Sequence, residues 1–401
     1  MLSVAEAQDR IWAAFSPLPA EWLSVDRAQD RILAADLLAK RDQPPQPVSA
    51  MDGYALHAED TLDPARGLRL VGEVPAGRPW TGTVGRGETV RIFTGGAVPD
   101  GADTILIQEN ARTAEGIVLA LEPSAAGRHI RVRGLDFAAG WRGLVAGRRL
   151  DALALGLAAS MGHHWLPVRR RPRVGILATG DELCWPGETP VAGGIVSSNT
   201  TALSAMVRAW GGEPVDLGIA PDRVEALTEA LGAAAGLDLL MTSGGASVGD
   251  YDLIKDVLAG DGLELDFWKI AIRPGKPLVF GRLGGVPLVG LPGNPVSAAV
   301  CAIVFARGAL KRMLGLDPAL PVREVLSAHD LLPNDQREDY LRGGLHRDAD
   351  GEWVTAARRQ DSSMFATLAD ADALLIRRPF APAAARGTPV PILPLSACIG
   401  A

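Results

Sequence analysis

The 401-residue chain is poor in cysteine, has no excess of basic charge and lacks a long apolar run, and each shortage removes a class of protein. Its three cysteines, Cys184, Cys301 and Cys398, are odd in number and widely spaced, which argues against a disulfide framework and against a cysteine-based zinc site. They are expected to be free thiols, with Cys301 in a core. A balance of 40 Lys and Arg against 47 Asp and Glu leaves a net charge of −7. General nucleic-acid binding draws on surplus cationic side chains, so none is expected. The longest nearly pure apolar run, Ala298 to Phe305, is far short of the roughly 20 residues a membrane-spanning helix needs. Near the N-terminus, Glu6, Asp9 and Arg10 occupy the place where a secretory signal would be apolar, so a cytoplasmic location is expected.

What is present is the balance of a globular protein long enough for two to four domains. Ser3 and Glu6 form a capping-box pattern opening a helix through Phe15, and a second helical pattern covers Val25 to Leu38. From about residue 40 to 140 the texture changes to short β-rich pieces broken by Gly and Pro. Asp151 then caps a further helical pattern to His164. Beyond Arg173 strands and helices alternate, through RVGILATG, TALSAMVRAWG, EPVDLGIA, RVEALTEALGAAAG, DLLMTSGG and YDLIKDVLAG, with KPLVFGRLGGVPLVGLPG as a hairpin or paired strands. That alternation predicts a three-layer α/β domain with a mostly parallel sheet. The proline-punctuated remainder predicts a small β-barrel or sandwich. The fold class is therefore α/β and β multidomain: an elongated, helical N-terminal domain (1–39 and 141–168), a β-rich insert (40–140), an α/β domain (169–317) and a C-terminal β-barrel (318–401). The basic run RRRPR, Arg169 to Arg173, reads as a solvated linker.

Chemistry concentrates where strands hand over to helices. DLLMTSGGASVGDYD places Thr242, Ser243, Gly244, Gly245 and Ser247 at such a point. Glycines there let backbone amides approach a phosphate, and the hydroxyls add donors. Asp250 and Asp252 would repel a phosphate unless Mg²⁺ lay between, since that ion takes one or two carboxylates and fills its shell with water and phosphate oxygens. A glycine turn before an acidic helix start is the alternative. LATGDEL repeats the logic with Thr179, Gly180, Asp181 and Glu182, and GLPGNPVS, with Pro292 and Pro295, supplies a third glycine-bearing strand end. SSNT, Ser197 to Thr200, reads as a helix cap or a ligand contact. In KIAIRPGKP, Lys269, Arg273 and Lys276 make a local basic cluster suited to an anion, with Lys269 and Arg273 on one face if the stretch is a strand. SAMDGYAL (Asp52), FTGGAVPDGAD (Thr94) and IRVRGLD (Arg131, Asp136) are each weak alone.

Taken together and in order, these strings resemble the MoeA family, which includes the E domain of gephyrin, over almost the whole chain. The resemblance implies an enzyme that inserts molybdate into adenylylated molybdopterin and releases AMP, with Mg²⁺ required. It implies a homodimer of four-domain subunits whose composite cleft joins the α/β domain of one subunit to the insert of the other. A MogA-like adenylyltransferase would act upstream. Carried over position by position, the functional residues are Asp52, Thr94, Arg131, Asp136, Glu182, Asp222, Asp252, Lys269, Arg273 and Lys276. Mg²⁺ would sit on Glu182, Asp250 and Asp252. Two departures stand out: Arg273 replaces the lysine of many relatives, and QDSSM at Gln360 to Met364 replaces a Gly-Ser-His-like string around Ser362. An adenylyltransferase and a non-catalytic scaffold are the alternative readings.

Overall fold

The computed structural model describes residues 1–244 and 263–399. Gly245, Ser247, Asp250, Asp252 and the helical pattern YDLIKDVLAG lie outside the described residues. The chain divides into two compact units, one of residues 1–21 with 169–401 and the other of residues 22–168.

In the first unit the expected α/β alternation builds one six-stranded sheet. Its strands are β1 (Arg173–Thr179), β2 (Glu213–Ala220), β3 (Leu239–Ser243), β4 (Leu263–Trp268), β5 (Val279–Leu283) and β6 (Val286–Leu291), in the order β2-β1-β3-β6-β5-β4. The first four in that row are parallel, and β5 and β6 form the expected antiparallel hairpin about Gly284 and Gly285, both at positive φ. Alternate residues serve opposite faces. Val174, Ile176, Leu239, Met241, Val289 and Leu291 join a core shared with the helices Val4–Ala13, Asn199–Ala209 and Pro295–Cys301. Leu177, Leu240 and Leu288 face the other way, onto Ala234 and Leu237. Near-continuous apolar strands are what a parallel sheet covered on both sides requires.

The apolar run from Ala298 is the middle of a long helix that widens to a π-type turn over Ala302–Ala306 before resuming at Arg307–Met313. Widening changes which carbonyls are satisfied within the helix. The N-terminal helix answers from outside: Gln8 Nε2 donates to Val304 O at 3.1 Å and Trp12 Nε1 to Phe305 O at 2.9 Å. Its own start is held by the predicted capping box, with Glu6 N on Ser3 Oγ at 3.2 Å and Ser3 N on the Glu6 carboxylate at 2.9 Å. Cys301 is buried as expected, and all three cysteines are free thiols. The arginine run beside this core is more than a solvated linker. Arg170 makes a two-pronged pair with Asp238, at 2.9 and 2.7 Å, and the same carboxylate accepts the Arg173 amide.

The C-terminal part of this unit is a closed barrel. Strands Arg323–Ser327, Glu338–Asp348, Gly351–Ala356, Ala373–Arg377 and Pro389–Pro394 pair in a ring, because Glu338–Asp348 is bonded to both Gly351–Ala356 and Ala373–Arg377. Closure removes free sheet edges. One further strand, Ile272–Arg273, adds in parallel to Glu338 and Asp339.

The second unit contains a curled six-stranded sheet between Gly53 and Ala120, with small cores on both faces, one around Leu56, Leu68 and Leu106 and one around Val74, Val90 and Ile105. Asp151 caps the helix Ala152–Ser160, with Ala154 N on Asp151 Oδ1 at 2.7 Å. The helix expected over Val25 to Leu38 is not formed. That segment is a single 3-10 turn, Val25–Arg27, followed by irregular chain and the short strand Leu37–Leu38. Its apolar residues do reach a core, but its backbone is spent on distant partners: Asp30 N on Leu150 O, Leu150 N on Arg31 O and Leu33 N on Arg148 O, each 2.9 Å. Tertiary pairing overrides helical spacing here. No helix among the described residues is long and apolar enough to cross a membrane.

Gly308 lies against the Trp12 indole, where an added Cβ would come within 2.2 Å of the ring. Gly308→Ala is therefore expected to cost about 1–3 kcal/mol through overpacking. The check is a lowered thermal midpoint by calorimetry; an unchanged midpoint would mean that Trp12 does not need that space.

Candidate active site

Four strand ends line up at the carboxyl edge of the parallel sheet. Register pairs Thr179 of β1 with Ala220 of β2, Ala178 with Ser243 of β3, and Ser243 with Leu291 of β6. The three glycine-bearing ends inferred from sequence are thus side by side, with the Pro221-Asp222 turn beside them. From β1 the chain passes first to β2 on one side and then to β3 on the other, so the strand order reverses between β1 and β3. Ligands of open α/β sheets bind at that reversal.

At this point the ends of β1 and β3 approach closely. Gly244 has φ +102°, and a Cβ there would stand 2.2 Å from the Thr179 carbonyl oxygen, so only glycine can follow Ser243. Thr179 is 4% exposed, and its Oγ1 has no hydrogen-bond partner among the described residues. A buried hydroxyl without a partner costs free energy unless something beyond those residues satisfies it. The Glu182 carboxylate folds back over Gly180, and Asp181 Oδ1 accepts the Asp222 amide at 3.1 Å, tying the β1 and β2 ends together. Pro292 lies in the turn after β6 and Pro295 opens the following helix.

SSNT does not act as a cap. Ser198 precedes the helix Asn199–Ala209 in helical conformation and makes no capping bond. Asn199 instead reaches across to the other strand ends, donating from Nδ2 to Ser243 Oγ at 2.7 Å and to Gly293 O at 2.8 Å. Spacing alone could not show that contact, since its partners lie 44 and 94 residues away.

The basic stretch departs from the strand reading. β4 stops at Trp268, and Lys269 takes a left-handed backbone at φ +75° with its ammonium 3.5 Å from the Trp268 ring centroid. Arg273 belongs to the separate strand on the barrel, so the two do not share the face of one strand. Its guanidinium is engaged in the two-pronged pair with Asp339, at 2.8 and 2.5 Å, and also bonds Asn334 Oδ1 at 3.2 Å. That fork geometry is available to Arg and not to Lys, which gives the departure at 273 a structural use. Burial raises the Asp339 carboxyl despite this pairing, with Arg273 opposing. Lys276 is exposed.

A cavity of about 520 Å³ opens beside Arg273, lined also by Asp339, Arg342, Gln360 and Arg377. Arg342 is 1% exposed, its Nε has no partner among the described residues, and burial lowers its pKa. Sequence reasoning passed over Arg342. Its trace is a charge within the otherwise barrel-like EDYLRGG. Ser362 meets the β6 turn, accepting from Asn294 Nδ2 at 2.9 Å while its carbonyl takes the Val296 amide at 3.1 Å.

In the second unit three weak motifs converge. Asp52 Oδ1 accepts both the amide and the hydroxyl of Thr94, at 2.7 and 2.9 Å. Ser49 exchanges backbone bonds with Gly95 and Gly96, and Val48 pairs with Arg131. Arg131 and Asp136 form no ion pair among the described residues; Arg133 pairs with Asp42 instead. The Thr94 amide first, and its hydroxyl second, hold the Asp52 carboxyl below the ordinary range.

Glycines, hydroxyls and carboxylates gathered at the switch point of a parallel sheet, in a chain that also carries a closed β-barrel and a curled β-sheet, define a multidomain α/β protein whose sheet edge is of the kind that takes ligands. Comparison with known proteins narrows the class. Residues 2–162 match the MoeA N-terminal region (domain I and II), residues 175–312 the probable molybdopterin binding domain, and residues 325–395 the MoeA C-terminal region (domain IV). The chain is 36% identical over 361 residues to the molybdopterin molybdenumtransferase of Nostoc sp., covering 87% of this chain and 83% of that one. It is 32% identical over 382 residues to the Haemophilus influenzae molybdopterin molybdenumtransferase, covering 94% of each. A solved molybdopterin biosynthesis MoeA protein from Pyrococcus horikoshii matches with a TM-score of 0.86 at 28% identity, over 98% of this chain and 99% of that one. The chain belongs to the MoeA family of molybdopterin molybdenumtransferases, transferases of molybdenum-cofactor biosynthesis.

Because the folded pKa of Asp52 is depressed, its contact with Thr94 contributes stability above the ordinary carboxylate range and loses it as pH falls through the depressed value. Thr94→Val keeps the amide and removes the hydroxyl. It is expected to return the Asp52 titration partway upward, followed by carboxyl ¹³C NMR, with a stability deficit at pH 7 that disappears in acid. A titration identical to wild type would show that the hydroxyl contributes nothing.

Proposed function

We propose that this chain inserts molybdate into adenylylated molybdopterin with Mg²⁺-dependent release of AMP. The observation that carries the reading is the Thr179–Ser243–Gly244 junction at the sheet's switch point, where a buried hydroxyl has no partner among the described residues beside glycine backbone. Such a junction suits a phosphoanhydride. Two Mo–S bonds form to the dithiolene sulfurs while one oxo ligand of molybdate leaves as water with the two thiol protons. Water cleaves the phosphoanhydride, releasing AMP. Thr179, Ser243 and the amides of Gly244 and Gly245 bind the phosphate side. The acids present offer only hard oxygen donors, which is the set Mg²⁺ prefers, and Glu182 with Asp250 and Asp252 would hold it. When bound, the ion neutralises charge on the phosphate oxygens. Asp222 stands at the neighbouring strand end, and Lys269, Arg273 and Lys276 supply positive charge for molybdate, Arg273 sharing its charge with Asp339.

The subunit is a homodimer in this reading, of four domains as divided above. Asp52, Thr94, Arg131 and Asp136 complete the partner subunit's cleft. Support comes from the helix Ala152–Ser160, ALALGLAAS, which has no polar face yet leaves Leu153 82% exposed. An all-apolar helix calls for cover on every side, and a second copy would give it. The location is cytoplasmic, and the upstream partner is a MogA-like adenylyltransferase.

The test is AMP release from adenylylated molybdopterin, with transfer of the product to an apo-molybdoenzyme. Release is expected to require both molybdate and Mg²⁺, and Glu182→Ala and Asp52→Ala are each expected to abolish it while the dimer stays folded. Intact nucleotide that remains bound would leave a scaffold. Conversion of free molybdopterin by ATP would point to the adenylyltransferase.

A further inference from the structure

One side chain at the switch point does more than its place at a helix start requires. The Gly293 carbonyl can only accept a hydrogen bond, so the Asn199 atom 2.8 Å from it must be the amide nitrogen. The same nitrogen lies 2.7 Å from Ser243 Oγ. Both amide protons are then committed, one to each partner, and the Ser243 oxygen is an acceptor toward Asn199. Its own proton has to point elsewhere. No acceptor for it stands among the described residues, although Ser243 is 2% exposed. Next to it in the sheet, Thr179 Oγ1 is buried and has no partner among the described residues either. Among the described residues, two hydroxyls therefore meet at the strand-order reversal with no acceptor for their protons, and for Ser243 the commitment of its oxygen comes from Asn199.

We infer that Asn199 is a positioning residue of the transfer reaction: by donating to Ser243 Oγ it makes that hydroxyl an obligate donor to the bound phosphate, and by holding Gly293 O it pins the turn after β6 to the same point. The inference rests on the reading that the junction takes the phosphate side of adenylylated molybdopterin. Asn199 itself need not touch the ligand. A residue at this place serving only the helix would favour an acid, since the first helical turn stabilises negative charge. An acid would also reverse the polarity, accepting the Ser243 proton and facing the Gly293 carbonyl with a like partial charge.

The test is a double-mutant cycle on kcat/KM for adenylylated molybdopterin with molybdate and Mg²⁺, using Asn199→Ala, Ser243→Ala and the pair, with Asn199→Asp beside them. Ser243→Ala is expected to lower kcat/KM by about 10- to 100-fold, the worth of one hydrogen bond to a charged group. Asn199→Ala should cost a similar factor alone and less than about threefold once Ser243 is already alanine. Asn199→Asp, nearly the same shape, keeps the volume but reverses the polarity toward Ser243 and Gly293, so it should fold and yet fall below Asn199→Ala in kcat/KM. Independent, multiplying effects of the two alanine substitutions would overturn the proposal, as would an unaffected Ser243→Ala or an Asn199→Asp enzyme of wild-type activity. The isosteric acid variant decides the matter if the alanine variant does not fold. Wild-type protein that releases no AMP would instead remove the functional reading beneath it, a result separable from additivity in an active enzyme.

Discussion

The parallel register of β1 and β3 is the constraint on which the site depends. A parallel pair delivers both carboxyl ends to the same edge, and here it sets Thr179 against the Ser243–Gly244 step with no room for a side chain between. Everything proposed for the phosphate side follows from that closeness: the glycine, the threonine hydroxyl with no partner among the described residues and the serine held by Asn199. The apolar strands supply the stability that permits it. Val174, Ile176, Leu239 and Met241 are fully buried on one face and Leu177 and Leu240 on the other, so slipping the register by one residue would disturb both cores at once.

The anion chemistry and the architecture compete for the same cations. Arg273 was expected to serve an oxyanion, and its guanidinium is found clamped on Asp339 of the barrel. Clamping has a use: it fixes the stretch between β4 and β5 against a closed, stable body. It also leaves Arg273 with an ammonium-like role only in part, since a carboxylate already neutralises some of its charge. Arg342, buried and with one nitrogen unmatched, extends the positive lining of the same cavity from the barrel side. The lining of this cavity thus draws on the stretch between β4 and β5, through Arg273, as well as on the barrel.

Local signals in the sequence were legible where the chain satisfies itself nearby. The Ser3–Glu6 box, the Asp151 cap and the Gly284-Gly285 hairpin involve partners within a few residues, and all three form as read. The glycine-bearing strand ends were legible too, because a parallel sheet repeats its logic at each strand. Reading failed where distant partners decide. Residues 25–38 carry helical spacing but exchange backbone hydrogen bonds with residues 147–150, and Lys269 leaves the strand through a left-handed turn that no period could announce. Asn199 is the instructive case. Its type and position fit a cap, and only the folded sheet brings it to Ser243 and Gly293.

The widened turn at Ala302–Ala306 has a geometric effect that outlasts it. A π-type ring holds one residue more than an α-type ring, and each added residue turns the following helix by about 100°. Gly308, Leu310 and Met313 therefore face directions they would not occupy in an uninterrupted helix. The gap at Gly308 comes to lie under the Trp12 ring, and the buried Leu310 and Met313 turn into the core. The bulge behaves as a phase shift: one extra residue upstream selects which stripe of the last two turns is read as interior.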